Sequence, residues 1–598
     1  KILELFNSIE RKRLLFLLTM ILLMAFLEML GVASILPFMM LLTNPEVIET
    51  NFFLNYLFQI SSIIGIDTQK EFLFLIGLLV FLLFIFSILV KAYNIFIKAK
   101  FTMMCESNLT VKLLRNYLNQ KYTWFLDKNS SDLKKKILSE ISQVIATTIE
   151  PFINLVAHIF VSFSIILLLF FINPTLTFLM FTVFGSFYLV IFFLLKNTLF
   201  RMGKSRLNAN EVRYKSTTEA FGAIKELKYK SLEDFFINRF SESSKTFAKN
   251  LSKATIISQL PRFFLEGIAF GSFLIVILVL MSLGKNFNEF LPLLSVYVFA
   301  GYRIMPSFQQ IYNSITLIRF STPSLNLIHS DLNELVIHDK SKSEVEDKKI
   351  RIELKKNIRL INLNYTYPNT KKKVLNNLNL EIPINSKLGI IGSTGCGKTT
   401  LVDLFLGLLE TSEGLIKIDD LNIDNKNISA WQKYLGYVPQ QIFLVDDTIE
   451  ANIAFGHKKE NVNQKRLEMV SKIAEIYDYI MNELPNKYES KIGEQGIRMS
   501  GGQRQRIGIA RALYNKPKVL ILDEATSALD SITEQLVINN LEKMEEKVTM
   551  IIIAHRIKTI EKCDNIILLE NGKIKTQGKF QDLLKSEDYL IKVNKLNN

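Results

Sequence analysis

The first half of the chain is dominated by long apolar runs separated by polar stretches. A helix needs about 20 mostly apolar residues to cross about 30 Å of hydrocarbon, and six stretches before residue 320 reach that length. We therefore predict six membrane-spanning helices. They cover residues 14–42, 72–97, 152–172, 176–195, 263–283 and 290–315.

The charge of the connecting segments predicts how these spans are oriented, because Lys and Arg are enriched on the cytoplasmic side. Residues 98–147 carry 9 Lys and Arg and residues 196–262 carry 14, whereas the connections after spans one, three and five hold only Lys70 and Lys285. The N-terminus and both long loops are therefore predicted to be cytoplasmic.

Both long loops repeat apolar residues at helical spacing up to the next span. We therefore expect the spans to continue into the cytoplasm as helices, with short turns near residues 128–131 and Gly222. Spans three and four are joined by a tight turn at residues 173–174. The external segment 49–60 has an apolar face but is too short to span, and it is predicted to lie on the membrane surface.

Composition and charge narrow the class of protein. The chain has 598 residues, 49% of them hydrophobic, which excludes a disordered chain and makes a single core improbable. Its net charge of +15 is also typical of nucleic-acid binding, but most of that charge lies in the two cytoplasmic loops, so we expect no nucleic-acid partner. Three cysteines without a Cys/His cluster exclude a disulfide framework and a zinc site of that type.

The second half of the chain contains a phosphate-binding pattern. GSTGCGKT at residues 392–399 fits G-x-x-x-x-G-K-[ST], between a strand-like run at 386–391 and a helix-like run at 400–410. Glycines let backbone N–H groups curl around phosphates, and the helix adds its positive N-terminal end. We expect Lys398 to contact the β- and γ-phosphates of ATP and the Thr399 hydroxyl to bind Mg²⁺.

A second strand-like run ends in two carboxylates. The apolar residues 519–522 precede Asp523 and Glu524. This suits a buried parallel strand, whose carboxyl end is where α/β sheets bind ligands. We expect Asp523 to lie near Mg²⁺ and Glu524 to polarise the attacking water. For this segment taken alone, a surface Asp-Glu pair without catalytic function is the alternative.

The segment MSGGQRQR at residues 499–506 resembles the LSGGQ signature of ATP-binding-cassette (ABC) proteins, with Met499 in place of Leu. The other motifs of that family follow in the family's order. The matching residues are Tyr367 (adenine stacking), Gln440 (Q-loop), Glu494 (loop before the signature), 527–530 (D-loop) and His555 (switch histidine).

The resemblance implies an all-α six-helix transmembrane exporter domain (residues 1–325), a linker (326–350) and an α/β P-loop ABC nucleotide-binding domain (351–598). It implies ATP and Mg²⁺ as cofactors. The implied catalytic residues are Glu524, His555 and Gln440, and the implied Mg²⁺ ligands are Thr399, Gln440 and Asp523. The implied nucleotide contacts are Tyr367, Gly392, Ser393, Thr394, Gly395, Cys396, Gly397, Lys398, Thr399, Thr400, Ser500, Gly501, Gly502 and Gln503.

One P-loop and one signature in the chain predict a dimer. Phosphoryl transfer depends on positioning and charge neutralisation, so the γ-phosphate must be clamped from both sides. In the family, the P-loop of one copy faces the Ser500, Gly501 and Gly502 of the other. We expect a homodimer with two competent sites; a heterodimer with another half-transporter is the alternative.

Charged residues within spans are costly and are therefore candidates for function. Arg303 lies 13 residues into span six, Lys91 lies late in span two, and Arg262 opens span five. If all three face the cavity of a dimer, they present six cations suited to phosphate or pyrophosphate. The alternatives are pairing of Arg303 with Glu28 or Glu266, and snorkelling of Lys91 and Arg262 to the lipid interface.

Three local segments, at residues 261–268, 302–307 and 395–409, resemble ABC flippases of lipid-linked oligosaccharides in bacterial N-glycosylation. This resemblance implies a polyprenyl-pyrophosphate glycan that moves from the cytoplasmic to the outer leaflet of a bacterial inner membrane, with the ATPase domain cytoplasmic. The external helix would then contact the lipid tail. The alternatives are a lipid A or phospholipid flippase, a drug or peptide exporter, and an ATP-gated channel or regulatory subunit.

Overall fold

The structure is a computed structural model of the chain. It describes residues 1–43, 47–63, 65–66, 68–264, 287–343, 352–368, 370–554 and 556–586, together with six isolated positions between 265 and 286. The chain divides into two compact units. The first comprises Lys1–Gln120 and Asp127–Ser341, and the second comprises Lys121–Leu126 and Lys342–Asn598.

The described part of the first unit is helical. The helices up to residue 343 are α1 (Ile2–Leu5), α2 (Ser8–Ala33), α3 (Ile35–Thr43), α4 (Val47–Thr50), α5 (Phe52–Ser62), α6 (Gln69–Leu118), α7 (Tyr122–Leu126), α8 (Ser130–Lys135), α9 (Ile141–Val144), α10 (Glu150–Ile172), α11 (Pro174–Gly222), α12 (Ile224–Lys230), α13 (Glu233–Gln259) and α14 (Phe287–Ser343). Two π-helical turns, Lys136–Glu140 and Ile145–Ile149, join α8, α9 and α10 into one continuous rod. Helix α7 groups with the second unit.

The first four predicted spans lie within α2–α3, α6, α10 and α11. Within the described residues, four helical stretches are long and apolar enough to cross a membrane: Ser8–Thr43, Gln69–Leu118, Ser130–Ile172 and Gly185–Gly222. The fifth predicted span, 263–283, lies mostly outside the described residues, and the sixth is the first part of α14. The long helical extensions expected beyond the spans are present, since α6 and α11 have 50 and 49 residues.

Several helix ends follow from local backbone chemistry. The first span was expected to be one helix, but the structure ends α2 at Ala33, because Pro37 has no N–H for the Ala33 carbonyl and its ring clashes there. The predicted turn between spans three and four is present, with Asn173 in an extended conformation before α11 begins at Pro174. Helix α11 ends at Gly222, where a turn was also predicted.

Helix α14 continues beyond residue 325, where the sequence predicted the end of the transmembrane domain. It runs to Ser343, so the first part of the expected linker is helical. The segment after Pro323 contains neither Gly nor Pro up to Ser343, and such a sequence can propagate an existing helix.

The helical extensions of the first unit share a buried ion pair. The Arg206 guanidinium on α11 donates to Glu140 at 2.5 Å and to the Ser324 hydroxyl on α14 at 2.6 Å. Asn210 donates to the other Glu140 oxygen at 2.8 Å. Close by, α11 and α14 approach so tightly that a Cβ at Gly203 would lie 1.9 Å from the Phe320 carbonyl oxygen. Three helical segments are therefore fixed at one point.

The second unit contains two sheets. A four-stranded antiparallel sheet has the order β2-β1-β4-β5, and a six-stranded sheet has the order β10-β9-β3-β8-β7-β6. In the larger sheet all neighbouring strands are parallel except β10 against β9. The strands are β1 (Asn357–Thr366), β2 (Lys373–Pro383), β3 (Lys387–Gly392), β4 (Glu413–Ile418), β5 (Leu421–Asn422), β6 (Leu435–Val438), β7 (Val519–Asp523), β8 (Thr549–Ile553), β9 (Asn565–Glu570) and β10 (Lys573–Gly578).

Helices cover the larger sheet and complete the α/β fold. They are α15 (Lys398–Phe405), α16 (Ile428–Gln432), α17 (Ile449–Ile453), α18 (Gln464–Ile473), α19 (Gly501–Tyr514), α20 (Ser531–Glu542), α21 (Ile557–Ile560) and α22 (Phe580–Ser586). All five residues of β7 and of β8 are buried, as expected for parallel strands covered on both faces. Because β3, β8, β7 and β6 are neighbours, their carboxyl ends bring the predicted motifs to one edge of the sheet.

Candidate functional site

The P-loop joins β3 to α15 at this edge, as the sequence predicted. Lys398 opens α15 and folds back over the loop, where its ammonium group donates to the carbonyls of Gly392 at 2.7 Å and Ser393 at 3.1 Å. The tip of the loop, residues 393–395, is exposed. A phosphate group bound at this tip would reach both Lys398 and the first N–H groups of α15.

Gly392 is required by the close approach of the chain on both sides. It has a φ of 158°, and a Cβ there would lie 2.3 Å from the Leu569 carbonyl oxygen and 2.7 Å from the Cys396 sulfur. Cys396 itself is buried and supports the loop from below. The loop is therefore a cradle of backbone groups, which fits a bound triphosphate.

The two carboxylates at the end of β7 differ in their surroundings. Asp523 is buried, whereas the Glu524 side chain accepts a hydrogen bond from the Gln440 amide at 2.7 Å. Glu524 has a φ of 51°, in the left-handed region, and its N–H donates to the Ile553 carbonyl at the end of β8. The structure thus brings together Glu524 and Gln440, which are 84 residues apart in the chain.

Two of the three residues predicted to hold Mg²⁺, Thr399 and Asp523, are of types that suit that ion, whereas the amide of the third, Gln440, donates to Glu524. Within the described residues, no group of three or more His, Cys, Asp or Glu could hold a metal by itself. Mg²⁺ in nucleotide sites is held by one or two protein carboxylates together with phosphate oxygens and water. One buried carboxylate, Asp523, with the exposed Thr399 hydroxyl is therefore a suitable protein contribution.

Negative charge is concentrated under the P-loop. Burial, together with the nearby Asp523, raises the pKa of Asp403 on α15 from 3.8 to about 6. Burial also raises the pKa of the Tyr437 hydroxyl, and Asp523 and Asp403 add to that effect. An added cation would relieve this repulsion, which is a second reason why the site suits Mg²⁺.

Tyr367 lies next to the helix that follows the P-loop. Its hydroxyl forms a hydrogen bond with Thr400 at 3.1 Å, and its ring contacts Tyr365 edge to face at 5.0 Å. Burial raises the pKa of Tyr122 on α7, and Asp403 and Tyr367 contribute to the rise. The predicted stacking of Tyr367 on adenine stays a prediction.

The signature residues begin helix α19. Ser500 is the N-cap, with its hydroxyl accepting from the Gln503 N–H at 3.2 Å and its own N–H donating to the Gln503 side chain at 2.8 Å. Gly501 and Gly502 form the first turn. Met499, which replaces the Leu of the family motif, is buried in the core, so the substitution keeps an apolar contact. The ordered turn presents its N–H groups at a helix N-terminus, a geometry suited to phosphate.

Two residues that the sequence analysis did not assign hold the D-loop. Gln505 on α19 donates to the Ser527 hydroxyl at 3.1 Å and accepts from the Ala528 N–H at 2.9 Å. Arg556 donates to the carbonyls of Ser527 at 3.1 Å and Leu529 at 3.0 Å. Arg556 also pairs with Glu534 at 2.8 Å. Gln505 lies in the signature segment 499–506, so the sequence offered a reason to consider it. Arg556 follows the switch histidine, and no sequence motif pointed to it.

His555 lies outside the described residues, so its predicted role as the switch histidine stays a prediction. The flanking residues are described. Strand β8 ends at Ile553, which pairs with Asp523 of β7, and Arg556 follows two residues after the buried Ala554.

The three predicted substrate cations are all paired with carboxylates in the first unit. Lys91 on α6 lies 3.1 Å from Glu28 on α2, and Arg303 on α14 lies 3.7 Å from the same oxygen. The predicted alternative of a pairing between Arg303 and Glu28 is therefore present. Arg262 pairs instead with Glu266, at 2.5 Å, and both side chains are exposed.

Comparison with known proteins identifies the family. Two family models match, "ABC transporter" over residues 375–527 and "ABC transporter transmembrane region" over residues 47–306. Together the two models cover more than half of the chain, which therefore belongs to the ABC transporters, with a helical transmembrane domain followed by an α/β nucleotide-binding domain. The fold class predicted from the sequence is confirmed.

Individual relatives agree with that class. The heterocyst differentiation ATP-binding protein HepA of Nostoc sp. is 31% identical over 379 residues, 63% of this chain and 60% of that protein. The ATP-dependent lipid A-core flippase of Saccharophagus degradans is 32% identical over 374 residues, 61% of this chain and 60% of that protein. The chain thus spans about 60% of the length of these relatives. A bacterial Atm1-family ABC exporter solved with ATP bound shares the fold, with a TM-score of 0.73, 21% identity and 99% coverage of both chains.

Proposed function

We propose that the protein is an ATP-driven exporter that flips a lipid with a phosphate-bearing headgroup to the outer leaflet of a bacterial cytoplasmic membrane. The observation that carries the substrate class is the cluster of Lys91 and Arg303 around Glu28, in predicted spans that contain no other charged residue. A cation within a membrane-spanning helix is expensive and is kept where it serves a site or pathway.

The ATP site supplies the energy of this cycle. Lys398 and the N–H groups of the P-loop would hold the phosphates, while Asp523 and Thr399 would hold Mg²⁺. Glu524, positioned by Gln440, orients and polarises the attacking water. When bound, Mg²⁺ neutralises charge that develops on the phosphate oxygens.

The cycle requires two copies of the chain in this proposal. Ser500 caps α19, and the first turn of this helix presents backbone N–H groups that can donate to a phosphate. A γ-phosphate in the transition state needs hydrogen-bond donors on both of its sides. We therefore propose a homodimer in which the signature of each protomer completes the ATP site of its partner. His555 of each copy is proposed to contact the γ-phosphate. A heterodimer with a different half-transporter is the alternative.

Within the class of phosphate lipids, we propose a polyprenyl-pyrophosphate oligosaccharide. Charge-assisted hydrogen bonds from Lys91 and Arg303 suit a pyrophosphate, and they strengthen where the dielectric constant is low. Arg262 is a third proposed contact, although in the structure it pairs with Glu266 rather than with Glu28.

The external helix α5 supports a lipid-bound substrate. It exposes Phe52, Tyr56 and Ile60, with exposed fractions of 90%, 57% and 41%. These residues recur every four positions and therefore form one apolar stripe. Such a stripe suits contact with a membrane surface or a lipid tail.

A second candidate substrate is lipid A, since a relative named as a lipid A-core flippase is 32% identical to this chain. Lipid A also carries phosphates, so the cation cluster alone does not separate the two lipids. A drug or peptide exporter is the remaining alternative, and its activity would not require Lys91 or Arg303.

Reconstitution into liposomes tests the proposal. We expect ATP-dependent translocation of labelled lipid-linked oligosaccharide and a large loss of that activity in Arg303→Gln, with ATP binding retained. The same vesicles are tested with labelled lipid A and with a panel of apolar drugs. Transport of drugs alone, or oligosaccharide transport that is unchanged in Lys91→Gln and Arg303→Gln, would contradict the proposed substrate class.

A further inference from the structure

Glu28 is the most enclosed member of the charged cluster in the transmembrane domain. Its side chain is 4% exposed, whereas those of Lys91 and Arg303 are 46% and 20% exposed. A single oxygen, Oε1, faces both cations. Two positive groups and one negative group give the cluster a net charge of +1, and both cations are more exposed than the carboxylate between them.

The two ion pairs are not equally tight. The Lys91 ammonium donates a hydrogen bond to Glu28 at 3.1 Å. The Arg303 guanidinium lies 3.7 Å away, beyond hydrogen-bond distance, and is also placed over the Phe84 ring at 5.0 Å. Arg303 is therefore attracted by charge without using its fork of donors on the carboxylate. An anion with two adjacent oxygens can offer it a better, bidentate contact.

We propose that Glu28 is a competing counter-ion that limits how tightly the cluster binds an anionic lipid headgroup, so that the headgroup can be released after translocation. This inference rests on the proposed function, that is, on a phosphate-bearing substrate. A headgroup phosphate and the Glu28 carboxylate seek the same two cations and repel each other. The net charge that attracts a headgroup is +1 with Glu28 ionised and would be +2 without it.

A purely structural role for Glu28 makes the opposite prediction for binding. If Glu28 only links α2 to α6 and α14, it holds Lys91 and Arg303 in place, and its removal makes their positions less well defined. Loss of such a link weakens headgroup binding or leaves it unchanged. Loss of a competitor strengthens it, and the gain grows with the charge of the headgroup.

The test measures equilibrium binding of three ligands with the same tail to the purified full-length protein in detergent: farnesyl diphosphate, farnesyl monophosphate and farnesol. In Glu28→Gln we expect farnesyl diphosphate to bind about tenfold tighter, about 1.4 kcal/mol. The gain should be smaller for the monophosphate and absent for farnesol. In liposomes, the same variant should flip lipid-linked oligosaccharide more slowly at saturating substrate, because release is slower.

Two further variants control this result. Glu28→Asp keeps the charge but shortens the side chain, so we expect an affinity between those of the wild type and Glu28→Gln; it also serves if Glu28→Gln does not fold. Glu10→Gln is the matched control. Glu10 is a buried carboxylate on the same helix as Glu28, but it lies outside the cluster and accepts a hydrogen bond from Asn108 at 2.8 Å. It should leave all three affinities unchanged. Inorganic pyrophosphate is added as a competitor of farnesyl diphosphate. Strong competition shows that the diphosphate group provides most of the affinity, and weak competition shows that the lipid tail does.

The outcomes separate the two proposals. If the wild type does not prefer farnesyl diphosphate to farnesol, the phosphate substrate class is wrong and the role of Glu28 falls with it. If the wild type has that preference but neither Glu28 variant binds the diphosphate more tightly, only the counter-ion role is overturned.

Discussion

Glu524 occupies a backbone conformation that few residues other than glycine adopt. A left-handed φ of 51° in a side-chain-bearing residue is held in place by its surroundings, here by the bond from its N–H to Ile553 and by Gln440 on its carboxylate. Such conformations are unfavourable and concentrate at functional sites. In this conformation the carboxylate meets Gln440, which follows β6, the strand next to β7 at this edge of the sheet.

From this geometry we expect Glu524→Gln to bind ATP but to hydrolyse it at least about 100-fold more slowly, since general-base catalysis contributes about that much or more. The amide keeps the shape and can still contact Gln440, but it cannot polarise water. Phosphate release and nucleotide binding are measured on the same preparation. Glu561→Gln, an exposed position in the same unit, is the control. Undiminished hydrolysis in Glu524→Gln would remove this residue from the mechanism.

The raised pKa of Asp403 predicts a pH dependence of stability. With a pKa of about 6 in the folded protein against 3.8 ordinarily, the folded state binds more protons than the unfolded state between these values. Stability therefore falls as pH rises through that window. Asp403→Asn removes the effect, and we expect it to raise stability above pH 6 by about 1–2 kcal/mol, after a discount for partial exposure.

The thermal midpoint of the full-length protein, measured without nucleotide from about pH 4 to 8, checks this expectation. The wild type and Asp403→Asn should coincide at low pH and diverge as pH rises. Asp420→Asn, an exposed carboxylate in the same unit, should follow the wild type throughout. Parallel curves for the wild type and Asp403→Asn would show that Asp403 has an ordinary pKa.

Among the helices, the buried ion pair of Arg206 and Glu140 is the clearest contact that links separate segments of the chain. Glu140 is fully buried and Arg206 nearly so, and a buried charge without its partner costs about 3–5 kcal/mol. We expect Arg206→Met and Glu140→Leu each to lower thermal stability strongly, and the double variant to regain most of the loss because no charge is then left unpaired. Size-exclusion chromatography after heating measures all three. A double variant as unstable as the sum of the single ones would mean that the two side chains act independently.

The sequence predicted the elements more completely than their contacts. Runs of about 20 apolar residues located the first four spans, and the glycine and proline positions located the turns at 173–174 and Gly222, because these signals are local in the chain. Pro37 carried a signal for a helix break that the length of the apolar run obscured. The pairing of Glu28 with both Lys91 and Arg303 depends on how three distant helices pack, and no local pattern encodes that choice.

The same limit applies to the ATP site. The motifs gave the residues and their order, and the parallel sheet explains why their positions meet at one edge. Gln505 and Arg556 were missed because they act on backbone groups of the D-loop rather than on nucleotide. Most of their D-loop partners are carbonyls and N–H groups, which every residue carries. Apart from the Ser527 hydroxyl, the residue types at 527–530 therefore do not reveal the contact.

For the whole molecule, the decisive question is whether an ATP site is shared between two chains. If it is, a protomer with Lys398→Ala and a protomer with Ser500→Arg are each inactive as homodimers. In a mixed dimer, however, one site combines the intact Lys398 of one protomer with the intact Ser500 of the other, whereas the second site carries both changes. Complementation therefore reports directly on the shared site.

We expect co-expression of these two variants, in equal amounts, to restore about a quarter of the wild-type ATPase rate, since half of the dimers are mixed and each has one of two sites intact. Placing both substitutions in one chain and co-expressing it with the wild type is the control. Every mixed dimer then has one damaged half in each site, so only the wild-type homodimers are active and the rate is about a quarter of wild type, whereas sites contained within single chains would give about half. A site contained within one chain would leave Lys398→Ala and Ser500→Arg inactive together as well as apart. That result would replace the proposed homodimer by a monomeric ATPase or by a dimer with a different partner.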